Sequence, residues 1–119
     1  MAQYKLGEVE AAFADLIWDN APLSSSRLVE LCASTLDWKK STTYTVLRRL
    51  CQKGIFQNEG GVVTSLIGRE EFAARQSEEF VEQAFDGSLP KFLTAFASRK
   101  KLSGEEIEQL QRLIDEQRR

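Results

Sequence analysis

Apolar residues recur at three- and four-residue spacing along most of this chain, and the period changes once, near its middle. Leu6, Val9, Phe13, Leu16 and Ile17 mark one face of a first helix, which "DNAP" stops at Asn20 to Pro22. "LSSSRLVELCAS" predicts a short second helix, with Ser24 or Ser25 as its N-cap and Leu28, Leu31 and Cys32 facing inward. "STLDW" then breaks the pattern. A third helix runs from about Lys40 to Lys53 and ends at Gly54, the residue best able to take a left-handed C-cap. Next the period shortens to two: residues 55–57 and 62–66 flank "NEGG", a hairpin signal with glycines suited to positive φ. The helical period returns at about 69–85, breaks at "DGS", and resumes with Leu89, Phe92, Leu93 and Phe96. A last helix opens on a capping box from Ser103 to Glu106 and carries Ile107, Leu110, Leu113 and Ile114 as its stripe. Three helices, a hairpin and three helices predict a mainly α fold with a small β-hairpin.

Composition narrows the class. The 119 residues are 42% hydrophobic and 29% charged, which suits a globular protein of one domain plus an extension. The N-terminal stretch carries acids where a signal peptide needs an apolar run, and no segment reaches membrane-spanning length. A cytoplasmic location without membrane insertion is therefore expected. Cys32 and Cys51 fit a reducing compartment as small buried apolar residues rather than disulfide or metal partners. The chain has no His, which removes the commonest general base and metal ligand. With no nucleophile elbow, no phosphate loop and no clustered carboxylates, neither an enzyme nor a cofactor or metal site is expected.

Charge singles out the third helix. The chain holds 16 Lys and Arg against 18 Asp and Glu. Residues 38–58 nevertheless contain five cations, Lys39, Lys40, Arg48, Arg49 and Lys53, and no carboxylate. At 100° per residue, Thr43, Val46, Leu47, Leu50 and Cys51 gather on one side, while Ser41, Thr45, Arg48 and Gln52 gather opposite. Thr42, Arg49 and Lys53 line one edge and Tyr44 the other. An ordinary solvated helix mixes both signs for i,i+4 pairing, and this one does not. Hydroxyls, an amide and guanidiniums on a face without carboxylates suit base edges of duplex DNA, with Lys39, Lys40 and the helix N-terminus placed for phosphates. Two short helices and a following hairpin make a winged helix-turn-helix, and the turn at Gly60 and Gly61 completes the expected interface. The expected division is a DNA-binding domain at 1–68 and a helical dimerisation region at 69–119.

At these residues the chain resembles the BlaI/MecI (penicillinase repressor) family, whose copper-responsive relatives are the CopY proteins. Leu6, Glu10, Ile17 and Trp18 match the family's opening helix. Trp38, Thr42, Thr45, Leu47, Arg49, Leu50, Lys53 and Gly54 match its recognition segment, and Leu102 to Leu110 its final helix. The resemblance implies a homodimeric repressor on an inverted-repeat operator, dimerised by C-terminal helices. In penicillin-responsive members a membrane sensor protease triggers cleavage. That bond aligns with Ala95-Phe96, where Ala replaces the Asn of the staphylococcal repressors. Gly61 and Ser65 replace the Arg and Tyr common in the family's wing. The copper branch's Cys-x-Cys motifs are missing from the tail, so copper sensing by that route is not expected.

Apolar stripes in the last fifty residues exceed what a winged helix needs to cover itself. Phe80, Phe85, Leu89, Phe92, Leu93, Phe96, Ile107, Leu110 and Ile114 are the expected dimer seam. Two other readings stay open on the residues alone: a winged helix used only as a protein-interaction module, and a small-molecule-responsive regulator with a pocket among the C-terminal aromatics.

Overall fold

A computed structural model describes residues 4–119. Its elements are α1 (Glu8–Asn20), β1 (Leu23–Ser24), α2 (Ser25–Leu36), α3 (Lys40–Gln52), β2 (Phe56–Glu59), β3 (Val62–Ser65), α4 (Arg69–Phe85), α5 (Leu89–Arg99) and α6 (Gly104–Gln117). The chain forms two compact units, one ending at Glu79 and one running from Phe80 to Arg119.

The first unit is a winged helix. Phe13, Ala14 and Ile17 of α1, Leu28 and Cys32 of α2, and Leu47 and Leu50 of α3 are sealed together with Ile55, Phe56 and Val63 of the wing. Burying each such aliphatic or aromatic side chain contributes about 1.5–3 kcal/mol. Trp38 stacks on Phe13 with ring centroids 5.2 Å apart. Trp18 packs on Phe56 and Phe72 and donates its Nε1–H to the Ile67 carbonyl at 3.0 Å. That bond satisfies the indole's one donor where its ring is half-buried.

The sheet holds one strand more than the hairpin pattern predicts. Its order is β1-β3-β2, all antiparallel, with Leu23 opposite Val63 and Phe56 opposite Ser65. Two residues are too short a run for any period-two signal, so β1 could not be read from sequence. At the hairpin turn Gly60 and Gly61 take φ values of +59° and +78°, the two consecutive positive angles a tight primed turn demands.

Four further details depart from the sequence reading. The second helix continues through "STL" to Leu36, and Asp37 ends it in the left-handed region at φ +57°. Asp tolerates that region because its short side chain can bond locally. Val9 is 57% exposed; the inner side of that turn is taken by Glu10. Cys51 is only half-buried, unlike Cys32, and both thiols are free. Finally, the first unit extends past the expected boundary at residue 68, because α4 supplies Phe72 to its core and Arg69 to α1. Arg69 pairs with Asp15 at 3.1 Å and Asp19 at 2.7 Å, and Arg75 donates to the Tyr4 hydroxyl at 2.6 Å.

The second unit is built differently. Ser88 caps α5 by accepting from the Lys91 N–H, and Ser103 and Glu106 form the expected capping box of α6. Phe80, Phe85, Phe92 and Phe96 form a chain of ring contacts, with centroids 5.5–6.1 Å apart. Yet neither α5 nor α6 buries a single side chain. Among the described residues no helix is long and apolar enough to cross a membrane.

Candidate nucleic-acid interface

Helix α3 divides as its sequence requires. Thr43, Val46, Leu47 and Leu50 are buried. Thr43 is a polar residue in that face, and its hydroxyl donates to the Lys39 carbonyl at 3.3 Å, so it is not left unpaired. Ser41, Thr42, Thr45, Arg48 and Gln52 are exposed.

The five cations separate into two groups. Arg49 lies 3.0 Å from Glu10 of α1, and Lys53 donates to the Lys5 carbonyl at 3.1 Å. Both lie along the edge that meets the N-terminal part of the chain. Arg48, Lys39 and Lys40 carry no ion pair or side-chain hydrogen bond among the described residues. The segment free of carboxylates in sequence is therefore met by one in space, Glu10, at its Arg49 edge. Glu10 also accepts the Gly7 N–H at 3.4 Å, which ties the start of α1 to the same carboxylate. Partial burial pushes the Glu10 pKa up, but the Arg49 bond, the Gly7 N–H and the nearby positive charges outweigh it and hold the group below its ordinary value.

Lys39 is the N-cap of α3, in extended conformation and without any side-chain cap. The first-turn N–H groups thus keep the partial positive charge that favours an anion. Thr45 donates its hydroxyl to the Ser41 carbonyl at 2.9 Å. In the free protein it therefore presents acceptor lone pairs and a methyl group rather than a donor. Tyr44 turns to its own fold, donating to the Ser25 hydroxyl at 3.1 Å.

The wing stands beside α3. Between them lies an open hollow of about 390 Å³ lined by Leu47, Cys51, Phe56 and Leu66, with Arg48, Gln57 and Asn58 among its polar groups. Burial pushes the Cys51 thiol pKa up, so this residue stays a neutral thiol. From Ile55 to Ile67 the wing has no Lys or Arg and one carboxylate, Glu59, which accepts from Gln57 beside the turn. Among the described residues no cluster of His, Cys, Asp or Glu could hold a metal ion.

Sequence reasoning placed the exposed and buried faces of α3 but missed two positioning contacts, Arg49 to Glu10 and Tyr44 to Ser25. The first was open to inference, since Glu10 and Arg49 both belong to the matched family pattern. The second carried no signal.

Comparison with known proteins agrees with the architecture. The sequence model of the family described as "Penicillinase repressor" matches residues 6–116. The chain is 26% identical to the penicillinase repressor of Bacillus licheniformis over 116 residues, covering 94% of this chain and 91% of that protein. It is 24% identical to the methicillin resistance regulatory protein MecI of Staphylococcus aureus, covering 94% of both chains. The MecI of Mammaliicoccus sciuri is 23% identical over the same coverage.

Proposed function

The chain belongs to the penicillinase repressor family, a family of transcriptional repressors and not of enzymes, and from that premise we propose that it acts as a homodimer on an inverted-repeat DNA operator. The observation that carries this reading is the outward face of α3. It offers Ser41, Thr42, Thr45, Arg48 and Gln52 to solvent without a carboxylate among them, and Arg48, Lys39 and Lys40 have no ion pair among the described residues. Arg48 and Gln52 read base edges, while Lys39, Lys40 and the α3 N-terminus hold phosphate. Arg49 positions α3 through Glu10 instead of reaching bases.

Two-fold symmetry is supported by the second unit. Phe80, Leu89, Phe96, Ile107 and Ile114 are all about half exposed, and Phe85, Phe92, Leu93 and Leu110 border them. Two hollows of about 320 and 420 Å³ open among these side chains. A second copy is the surface that fits them, since an inverted repeat requires a closed two-fold dimer. Loss of the dimer then releases the operator. Any cleavage at Ala95-Phe96, the bond that aligns with the cleavage site of the penicillin-responsive members, would require α5 to unwind first, because that bond lies inside the helix.

Gel shift on operator fragments from the gene's own promoter region, repeated from 50 to 300 mM salt, tests the reading. A dimer-sized complex whose affinity falls steeply with salt is expected. Salt-insensitive or absent binding overturns it.

A further inference from the structure

Ser25 sits where three parts of the DNA-facing surface meet. It is the first residue of α2, and β1 ends one residue before it. Its backbone N–H donates to the carbonyl of Gly61, in the wing turn, at 2.8 Å. Its hydroxyl accepts from the Tyr44 hydroxyl of α3 at 3.1 Å. Ser24, just before it, both pairs with Val62 in the sheet and caps α2 by accepting from Arg27 N–H at 3.0 Å. The turn glycine closes against this residue as well: a side chain at Gly61 would begin 4.0 Å from the Ser25 hydroxyl oxygen. The wing turn, the α2 start and the reading helix are therefore joined through one serine.

The wing itself is poorly equipped to bind DNA by charge. It has no cation from Ile55 to Ile67, and Glu59 beside its turn would face phosphates with a like charge. Two devices remain for a wing of this composition: backbone groups near the glycines, and mechanical coupling to α3. Both depend on how the turn is held. Tyr44 is half-buried and its hydroxyl is already directed at Ser25, so it is not presented to bases.

We infer that Tyr44 and Ser25 are positioning residues for DNA recognition, forming a hydroxyl relay that fixes the wing turn at Gly61 relative to the reading face of α3. This rests on the reading of α3 and the wing as the DNA interface. The relay makes the wing an extension of α3 rather than an independent contact. Its loss loosens the turn and lowers operator affinity while the apolar core, which includes neither hydroxyl, stays intact.

The test uses the full chain with Tyr44→Phe, Ser25→Ala and the double variant, with Ser25→Thr as the conservative rescue. Each keeps the aromatic ring or backbone, so folding is checked by thermal midpoint. Loss of one neutral hydrogen bond predicts about a three- to tenfold fall in operator affinity for each single variant. The double variant falls no further than the worse single variant, because both remove the same link. Amide exchange at Gly61 to Val63 rises in all three, measured without DNA, and Ser25→Thr restores both readouts. Additive losses in the double variant, or unchanged exchange and affinity in Tyr44→Phe, overturn the relay while leaving DNA binding by the unaltered chain in place. If the unaltered chain shows no salt-dependent binding, the DNA reading and the relay fall together.

Discussion

The unit ending at Glu79 closes its apolar side chains over one another, from Phe13 and Ile17 to Val63 and Phe72; the unit from Phe80 onward closes over none. Both contain amphipathic helices with serine N-caps, α2 in the first and α5 and α6 in the second, so local helix formation does not account for the difference. The first unit folds three helices against a small sheet, and each element's apolar side finds another element of the same chain. In the second, α5 and the end of α4 form an aromatic cluster in which even Phe92 remains half-buried. The stripe left open by its own chain is the surface on which the proposed dimer would close.

The largest effect expected from this contrast is on intramolecular stability. Phe13→Ala should destabilise the first unit by about 3–5 kcal/mol, because Phe13 is wholly buried and its removal leaves a cavity in the core. Phe96→Ala, at a ring 44% exposed within one chain, should leave the first unit's stability unchanged and act only on self-association. Urea unfolding followed by Trp18 and Trp38 fluorescence, alongside sedimentation, separates the two. Equal losses of first-unit stability from both variants would break the comparison.

Truncation comes next. A chain ending at Ala95 lacks Phe96 and the whole of α6, with Ile107, Leu110 and Ile114. It should sediment as a monomer, keep its winged helix folded, and bind operator at least about tenfold more weakly, since a dimer gains about 10²–10⁴ from linking two half-sites. A truncated chain that retains full operator affinity would show that the open stripe is not the dimer seam.

Much of this contrast was legible in the sequence, for reasons visible at particular residues. Helix α4 begins and ends at the expected residues, Arg69 and Phe85, because its periodic run is long and "DGS" stops it sharply. The α3 faces were legible because a 3.6-residue period sorts them without tertiary information. What the sequence could not reveal depends on contacts between distant segments: β1 pairing with β3, Arg49 crossing to Glu10, and Phe72 joining the first core. The matched recognition segment illustrates the limit. Leu47 and Leu50 are core, Trp38 stacks on Phe13, Gly54 takes φ +79°, and Arg49 holds Glu10. That pattern records mostly the frame of the reading helix. Arg48 and Ser41, which face outward, lie outside it.

A finer test compares cations within the first unit. Arg48→Ala should cost about 1–3 kcal/mol of operator affinity and relax preference at one base position. Lys39→Ala or Lys40→Ala should weaken binding to all sequences alike and lower the salt slope by about one unit each. Affinity series across salt on operator and on unrelated duplex distinguish the two patterns. An Arg48 variant with unchanged base preference would remove it from the reading role.

The smallest expected effect lies at the Arg49 edge, where acid should loosen the tie between α1 and α3. The Glu10 carboxyl is held below its ordinary value of 4.5, so it stabilises the fold above that pH, and this contribution is lost as pH falls through the lowered value. Because Arg49 is half exposed, solvent screening limits the pair to about 0.2–1 kcal/mol. Acid also acts on the second unit: the Ser103 N–H and hydroxyl hold the Glu106 carboxyl low, so the α6 cap weakens over the same range. Stability of the unaltered chain against pH therefore mixes two carboxylates, and only a difference isolates one. Between pH 6 and 3.5, the stability gap between the unaltered chain and Glu10→Gln should close as pH falls, and added salt should narrow it already at pH 6. Glu106→Gln should leave the first unit's acid response untouched. A gap that stays constant down to pH 3.5 and does not respond to salt would mean that the ionised Glu10 carboxylate adds nothing to stability there, and that Arg49 is free to turn toward DNA.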